Sequence, residues 1–121
     1  MKIGFIGLGN VGGKLAASLL RNNFDLTVRD LDEKLTKHFL NLGAKVVETP
    51  KELAQKVDLI ITCLPSPKVC AEVMEGQDGI IHGLSANKIW LEMSTTDEAE
   101  VKRLGEKVIE KKAIPLDGPV S

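Results

Sequence analysis

Gly7-Leu8-Gly9-Asn10-Val11-Gly12 follows an apolar run directly and opens a stretch of helical periodicity. A G-x-G-x-x-G in that setting demands a strand that ends in a tight turn and a helix that begins inside it. Gly7 permits the turn, Gly9 lets a pyrophosphate approach the backbone, and Gly12 lets helix and strand pack closely. The helix start, at Asn10 or Val11, offers unpaired amides and a partial positive charge to phosphate. Downstream, Asp30 closes the run Leu26-Thr27-Val28-Arg29. It stands about twenty residues past the glycines, the spacing at which a carboxylate accepts both hydroxyls of an adenosine ribose. Glycine-rich turns are common by themselves; strand, helix and acid together make this one a dinucleotide fingerprint. The acid repels a 2′-phosphate, so NAD is the expected cofactor. NADP stays open as the alternative because Arg29 and Lys34 lie close by.

The rest of the chain repeats the same rhythm. Strand-like apolar runs fall at 3–6, 26–29, 45–47, 59–63, 89–91 and 114–116, with helical segments at 11–22, 33–42, 51–56, 68–74 and 97–111. Such alternation implies βαβ crossovers: an α/β, doubly wound Rossmann fold, its mostly parallel sheet of about six strands covered by helices on both faces. Runs 3–6 and 59–63 are nearly all apolar, as central parallel strands are. Thr49-Pro50-Lys51-Glu52 reads as a capping box with proline at the first helical position, and Ser66-Pro67 as a second cap. Thr95-Thr96-Asp97-Glu98 reads as a further capping box with Thr95 as the N-cap. Gly43 stands where a helix should stop. Segment 77–87 reads as a loop with one short turn.

Composition bounds the partners. A net charge of −1 gives no electrostatic case for nucleic acid or an anionic membrane, and three aromatic side chains per hundred residues argue against base stacking. No apolar stretch reaches the roughly 18 residues of a transmembrane helix. The chain enters a strand at once, with no signal-peptide pattern. Cys63 and Cys70 are too few for a disulfide framework and lack metal-ligand spacing, so a cytoplasmic location is expected.

Four blocks in order resemble a known family. Gly4-Phe5-Ile6-Gly7-Leu8-Gly9-Asn10-Val11-Gly12, Cys63-Leu64-Pro65, Glu92-Met93-Ser94-Thr95 and Asp117-Gly118-Pro119-Val120-Ser121 are similar to the signatures of the β-hydroxyacid dehydrogenases. That group includes 3-hydroxyisobutyrate dehydrogenase and tartronate semialdehyde reductase and is related more distantly to 6-phosphogluconate dehydrogenase. Val11 stands where the family usually has methionine, and Gly118 where it often has alanine; both changes are small and apolar.

The resemblance implies roles. Asn10 and Val11 supply amides to the pyrophosphate, and Leu64 and Pro65 line the cleft near ribose and nicotinamide with Val69 behind them. Thr95 lies beside the nicotinamide, and Ser121 touches the substrate carboxylate. The substrate is a small 3-hydroxy acid or its semialdehyde. In the family two glycines follow the position of Ser121, then a catalytic lysine on a long helix, then an all-helical domain that closes the cleft and builds a homo-oligomer. None of that lies within the 121 residues. The expectation is therefore an N-terminal dinucleotide-binding domain, 1–121, truncated from a longer enzyme. It holds no catalytic residue and no metal site, binds cofactor, and by itself turns over no substrate.

Plainer readings stand beside these. Lys14 is expected to face solvent. Cys63 reads as a small buried filler. His38 and His82 have no carboxylate–hydroxyl company for a triad. The charged segment 97–112 reads as a solvated face with a favourable Glu98–Lys102 pair and a repulsive Glu106–Glu110 pair. Leu84 and Trp90 are expected to pack under loops, with Trp90 as the alternative marker of a surface covered by a further domain. Two other functions stay open: a non-catalytic NAD-binding or scaffold module, and an imine or semialdehyde reductase of the same superfamily. FAD or S-adenosylmethionine could also sit on such a turn, though the blocks after the fourth and fifth strands argue against them.

Overall fold

A computed structural model describes residues 1–94 and 97–117, Asp117 in its backbone only. Six strands alternate with five helices: β1 (Lys2–Ile6), α1 (Asn10–Arg21), β2 (Asp25–Arg29), α2 (Glu33–Asn41), β3 (Lys45–Val46), α3 (Pro50–Lys56), β4 (Leu59–Thr62), α4 (Pro67–Glu75), β5 (Ile89–Glu92), α5 (Glu98–Glu110) and β6 (Ile114–Asp117). A 3₁₀ turn at Ile80–Gly83 is the one short turn expected within segment 77–87. Every strand pair is parallel, in the order β3-β2-β1-β4-β5-β6. The chain therefore winds outward from β1 in one direction and then, from β4, in the other. The reversal between β1 and β4 opens a crevice at the carboxyl ends of those strands.

The sheet divides the core in two. Ile3, Phe5, Val28 and Ile61 face Ala16 of α1 and Phe39 of α2. Ile6, Ile60 and Trp90 face Leu53, Met74, Leu104 and Val108 of α3, α4 and α5. Covering on both faces explains why β1 and β4 are apolar at nearly every position. Trp90 is fully buried in the second cluster and marks no surface. Leu84 joins the same cluster, so both residues belong to the core itself.

Local signals set most helix ends. Thr49 Oγ1 accepts from Glu52 N at 3.1 Å, and Glu52 Oε1 accepts from Glu48 N rather than from the cap residue's own amide. Ser66 accepts from Val69 N, and Gly43 sits at φ +108° just past α2. At α5 the structure corrects the reading. Asp97, not Thr95, is the N-cap, accepting from Ala99 N at 2.8 Å and from Glu100 N at 3.4 Å. A carboxylate beside a helix N-terminus meets both the free amides and the dipole, and a threonine two residues earlier does not displace it. Thr95 itself lies outside the described residues.

The ion pairs also differ from expectation. Among the described residues Glu98 and Lys102 form no pair. Glu75 at the end of α4 instead receives Arg103 and Lys107 of α5, and Arg103 also pairs with Glu100. These contacts clamp α4 to α5 across 28 and 32 residues of sequence, beyond the reach of an i,i+4 rule. The two cations hold the Glu75 carboxyl down at about 2.

Candidate dinucleotide site

A cleft of about 710 Å³ opens at the crevice between β1 and β4. Its volume is within the range of small-molecule sites, roughly 300–1,000 Å³. The turn after β1 forms its floor. Gly7 adopts φ +102°, and a Cβ there would overlap the Cys63 carbonyl oxygen. A Cβ on Gly12 would overlap the Gly7 carbonyl oxygen and press on the Phe5 ring. Both glycines are thus fixed by the protein's own packing. Gly9 differs, since a Cβ there would meet no described atom within 4 Å. Among the described residues no packing contact requires glycine at that position, and it borders the open cleft.

Helix α1 begins at that point without a cap. The first intrahelical bond is Gly13 N to Gly9 O at 2.6 Å, so the amides of Asn10, Val11 and Gly12 precede it. Helices α2, α3, α4 and α5 each have a side-chain N-cap, from Asp32, Thr49, Ser66 and Asp97, whereas α1 has none and carries no acid in its first turn. Among the described residues, no side-chain carboxylate or hydroxyl meets its positive end.

Asp30 stands at the tip of β2 against this turn. Its Oδ2 accepts from Leu8 N at 2.7 Å and its Oδ1 from Asp32 N at 2.8 Å. The carboxylate therefore ties the glycine loop to the start of α2, and each oxygen keeps a second lone pair for a ribose hydroxyl. Four acids line the cleft, Asp30, Asp32, Glu72 and Asp78, with Arg29 as the sole lining cation among the described residues. Lys34 does not line it.

The opposite wall comes from the loop after β4 and from α4: Cys63, Leu64, Pro65, Val69 and Val73. Cys63 is half-buried there, packed against the first core cluster while also lining the cleft, and burial together with the Glu92 charge raises its thiol pKa. Gly7, Gly9, Asn10, Val11, Gly12, Asp30, Leu64, Pro65 and Val69, singled out from the sequence, all line this one cleft. Ser121, like Thr95, lies outside the described residues. Lys14 is exposed and away from the lining, and His38 and His82 are both exposed. Sequence reasoning missed further lining residues: Leu31 and Asp32 beside Asp30, Val73 on α4, and the segment 76–78. Leu31 carried a signal, as a large apolar residue between two acids that is left 86% exposed.

It also missed the buried end of β5. Glu92 is fully buried, and Ser94 nearly so. Glu92 Oε2 accepts from Thr62 Oγ1 at 2.6 Å and from Cys70 Sγ at 3.2 Å, and Oε1 accepts from Ser94 N at 2.5 Å. Trp90 Nε1 donates to Thr62 Oγ1 at 3.0 Å, and Leu64 N donates to Ser94 Oγ at 2.5 Å. Burial, with the Glu92 charge beside it, pushes the Cys70 thiol well above the ordinary range. Among the described residues no group of His, Cys, Asp and Glu could hold a metal ion, and no helix is long and apolar enough to cross a membrane.

Strand order 3-2-1-4-5-6, a glycine turn into an uncapped helix and an acid at the tip of β2 define a Rossmann dinucleotide-binding domain. The model of the NAD binding domain of 6-phosphogluconate dehydrogenase matches residues 2–121, and the chain belongs to that family. Over 119 residues it is 36% identical to the mitochondrial 3-hydroxyisobutyrate dehydrogenase of Mus musculus, a match covering 98% of this chain and 36% of that protein. It is 31% identical over 120 residues to the cytokine-like nuclear factor N-PAC of Pongo abelii, covering 99% of this chain and 22% of that one. The crystal structure of 3-hydroxyisobutyrate dehydrogenase from Salmonella typhimurium superposes with a TM-score of 0.91 at 24% identity, over 100% of this chain and 42% of that chain. The chain thus spans about a third or less of the length of these two curated relatives.

Proposed function

We propose that this chain is the cofactor-binding domain of an NAD-dependent oxidoreductase acting on a small 3-hydroxy acid or its semialdehyde. The observation that carries the cofactor is the pairing of Gly9's open space with the Asp30 carboxylate across one cleft. The amides at the start of α1 receive the pyrophosphate. Asp30 receives the adenosine ribose, and its charge, with Asp32 beside it, disfavours a 2′-phosphate. Leu64, Pro65 and Val69 form the wall on the nicotinamide side, and Thr95 is assigned to the nicotinamide on the resemblance of its block alone. Bound nicotinamide supplies hydride chemistry; the protein's own part here is to hold the dinucleotide and keep water from one side of it.

The substrate class rests on the likeness to 3-hydroxyisobutyrate dehydrogenase. Ser121 is assigned to the substrate carboxylate on the resemblance of its block. The relatives extend well beyond the matched region, so the proton-transfer lysine, an all-helical domain and the homo-oligomer interface are assigned to sequence outside these residues. Two unpaired thiols favour a reducing compartment, and the cytoplasm is the one we assign. A second reading, a non-catalytic NAD-binding module, is favoured by one finding: a relative at 31% identity is named as a nuclear factor and not as a dehydrogenase.

Calorimetric titration with NAD and NADP tests the cofactor assignment. Asp30 also holds Leu8 N and Asp32 N, so Asp30→Asn, which removes charge but keeps an acceptor, is the informative variant. NAD should bind more tightly than NADP, and Asp30→Asn should narrow that ratio. Equal or tighter binding of NADP by the wild type would overturn the assignment. Turnover of a 3-hydroxy acid by this chain alone would overturn the placement of the lysine outside it.

A further inference from the structure

A carboxylate with no exposed surface and, among the described residues, no cation on it is expensive to keep in a core, since burying a charge costs several kcal/mol unless donors replace its water. Glu92 is held by donors from three separate elements. The indole Nε1 of Trp90 can only donate, so the Thr62 oxygen accepts from it and spends its own proton on Glu92 Oε2. Cys70 brings a thiol from the first turns of α4 to the same oxygen. The Ser94 amide, just beyond β5, takes the other oxygen. Ser94 Oγ then accepts from Leu64 N, in the loop that lines the cleft. The carboxylate thus joins β4, α4 and the β5–α5 loop beneath the wall of the cleft that lies across β1 from Asp30.

A dinucleotide lies across the switch point between β1 and β4. With its ADP half on the glycine turn and Asp30, its other half falls on the β4–β5 side, above this network. We propose that Glu92 is a positioning residue: through Ser94 it fixes the Leu64 segment in the shape that holds the nicotinamide half of the dinucleotide. The proposal rests on the dinucleotide reading above. A structural role alone would affect both halves of the ligand alike; a positioning role affects one.

The test uses the whole 121-residue chain and two ligands, NADH and ADP-ribose, which share the half bound at Asp30. The wild type should bind NADH more tightly, and the anisotropy of reduced-nicotinamide fluorescence should rise on binding. In Glu92→Gln the ratio of the two affinities should fall about fivefold, as the loss of one hydrogen-bonded tether implies, while the ADP-ribose affinity stays within about twofold. Ser94→Ala, which removes only the link to Leu64 N, should do the same with less disturbance to the core. Emission from Trp90, the only tryptophan, reports that each variant is folded. Equal weakening of both ligands in both variants, or an unchanged ratio, overturns the positioning role. A wild type that binds both ligands equally well overturns it too and leaves the dinucleotide reading standing. A wild type that binds neither overturns the dinucleotide reading, and this proposal with it.

Discussion

Replacing Gly9 with alanine separates binding from folding. A Cβ there meets no described atom within 4 Å, and the backbone is at φ −68° and ψ −161°, which an L residue adopts without strain. Two small terms then act on stability. Losing glycine's freedom in the unfolded chain stabilises by about 0.4–1 kcal/mol. Alanine is a poorer N-cap than glycine, which costs a comparable amount, about 0.5–1 kcal/mol. They offset, and the melting temperature should move by less than about 3 °C. Binding should respond quite differently. The methyl group would occupy the space through which a pyrophosphate reaches the amides of Asn10, Val11 and Gly12. A hydrogen bond to a charged group is worth about 1.5–3 kcal/mol, so losing two costs about 3–6 kcal/mol. At 1.4 kcal/mol per factor of ten, NAD affinity should fall at least about a hundredfold. Calorimetric titration gives the affinity, and a thermal melt of the same sample gives the stability. An alanine variant that melts normally and binds NAD within about threefold of the wild type would refute the cradle, whatever its family.

Other outcomes follow from the same geometry. Gly12→Ala, whose Cβ would overlap the Gly7 carbonyl oxygen, should destabilise the fold by several kcal/mol in urea denaturation, with cofactor absent throughout. The Glu75 carboxyl is held at about 2 against an ordinary 4.5, so its contribution is complete above pH 4.5 and is lost as pH falls toward 2. The gap in urea midpoint between wild type and Glu75→Gln should therefore shrink between pH 6 and pH 2.5, and it should be smaller in high salt because Arg103 and Lys107 are both about two-fifths exposed. A thiol reagent should label Cys63 and spare buried Cys70, faster as pH rises above 9, and ADP-ribose should slow it; labelling at Cys70 first would contradict the packing.

What could be read along the chain was what neighbouring residues decide. The period of two in the strands, the period of 3.6 in the helices, the caps at Thr49 and Ser66 and the stop at Gly43 act within four residues, so order and element type were legible. The parallel sheet followed from alternation, and the glycine turn with Asp30 followed from a spacing that the fold itself imposes. Element ends drifted by a residue or two because caps compete locally, as Asp97 did with Thr95.

The remainder depended on what meets across the fold. Nothing near Glu92 in sequence says that it is buried; Thr62 and Cys70, 30 and 22 residues away, supply the donors that allow it. Nothing near Glu75 announces Arg103. The three glycines of the fingerprint look alike as letters, yet Gly7 and Gly12 are pinned by carbonyl oxygens of the chain and only Gly9 faces open space. The sequence by itself determined which elements form and in what order, because those choices rest on local periodicity and hydrogen bonding. Tertiary structure alone decided which polar groups could be buried and which glycines are pinned by the chain's own packing, because both depend on atoms brought together from distant positions.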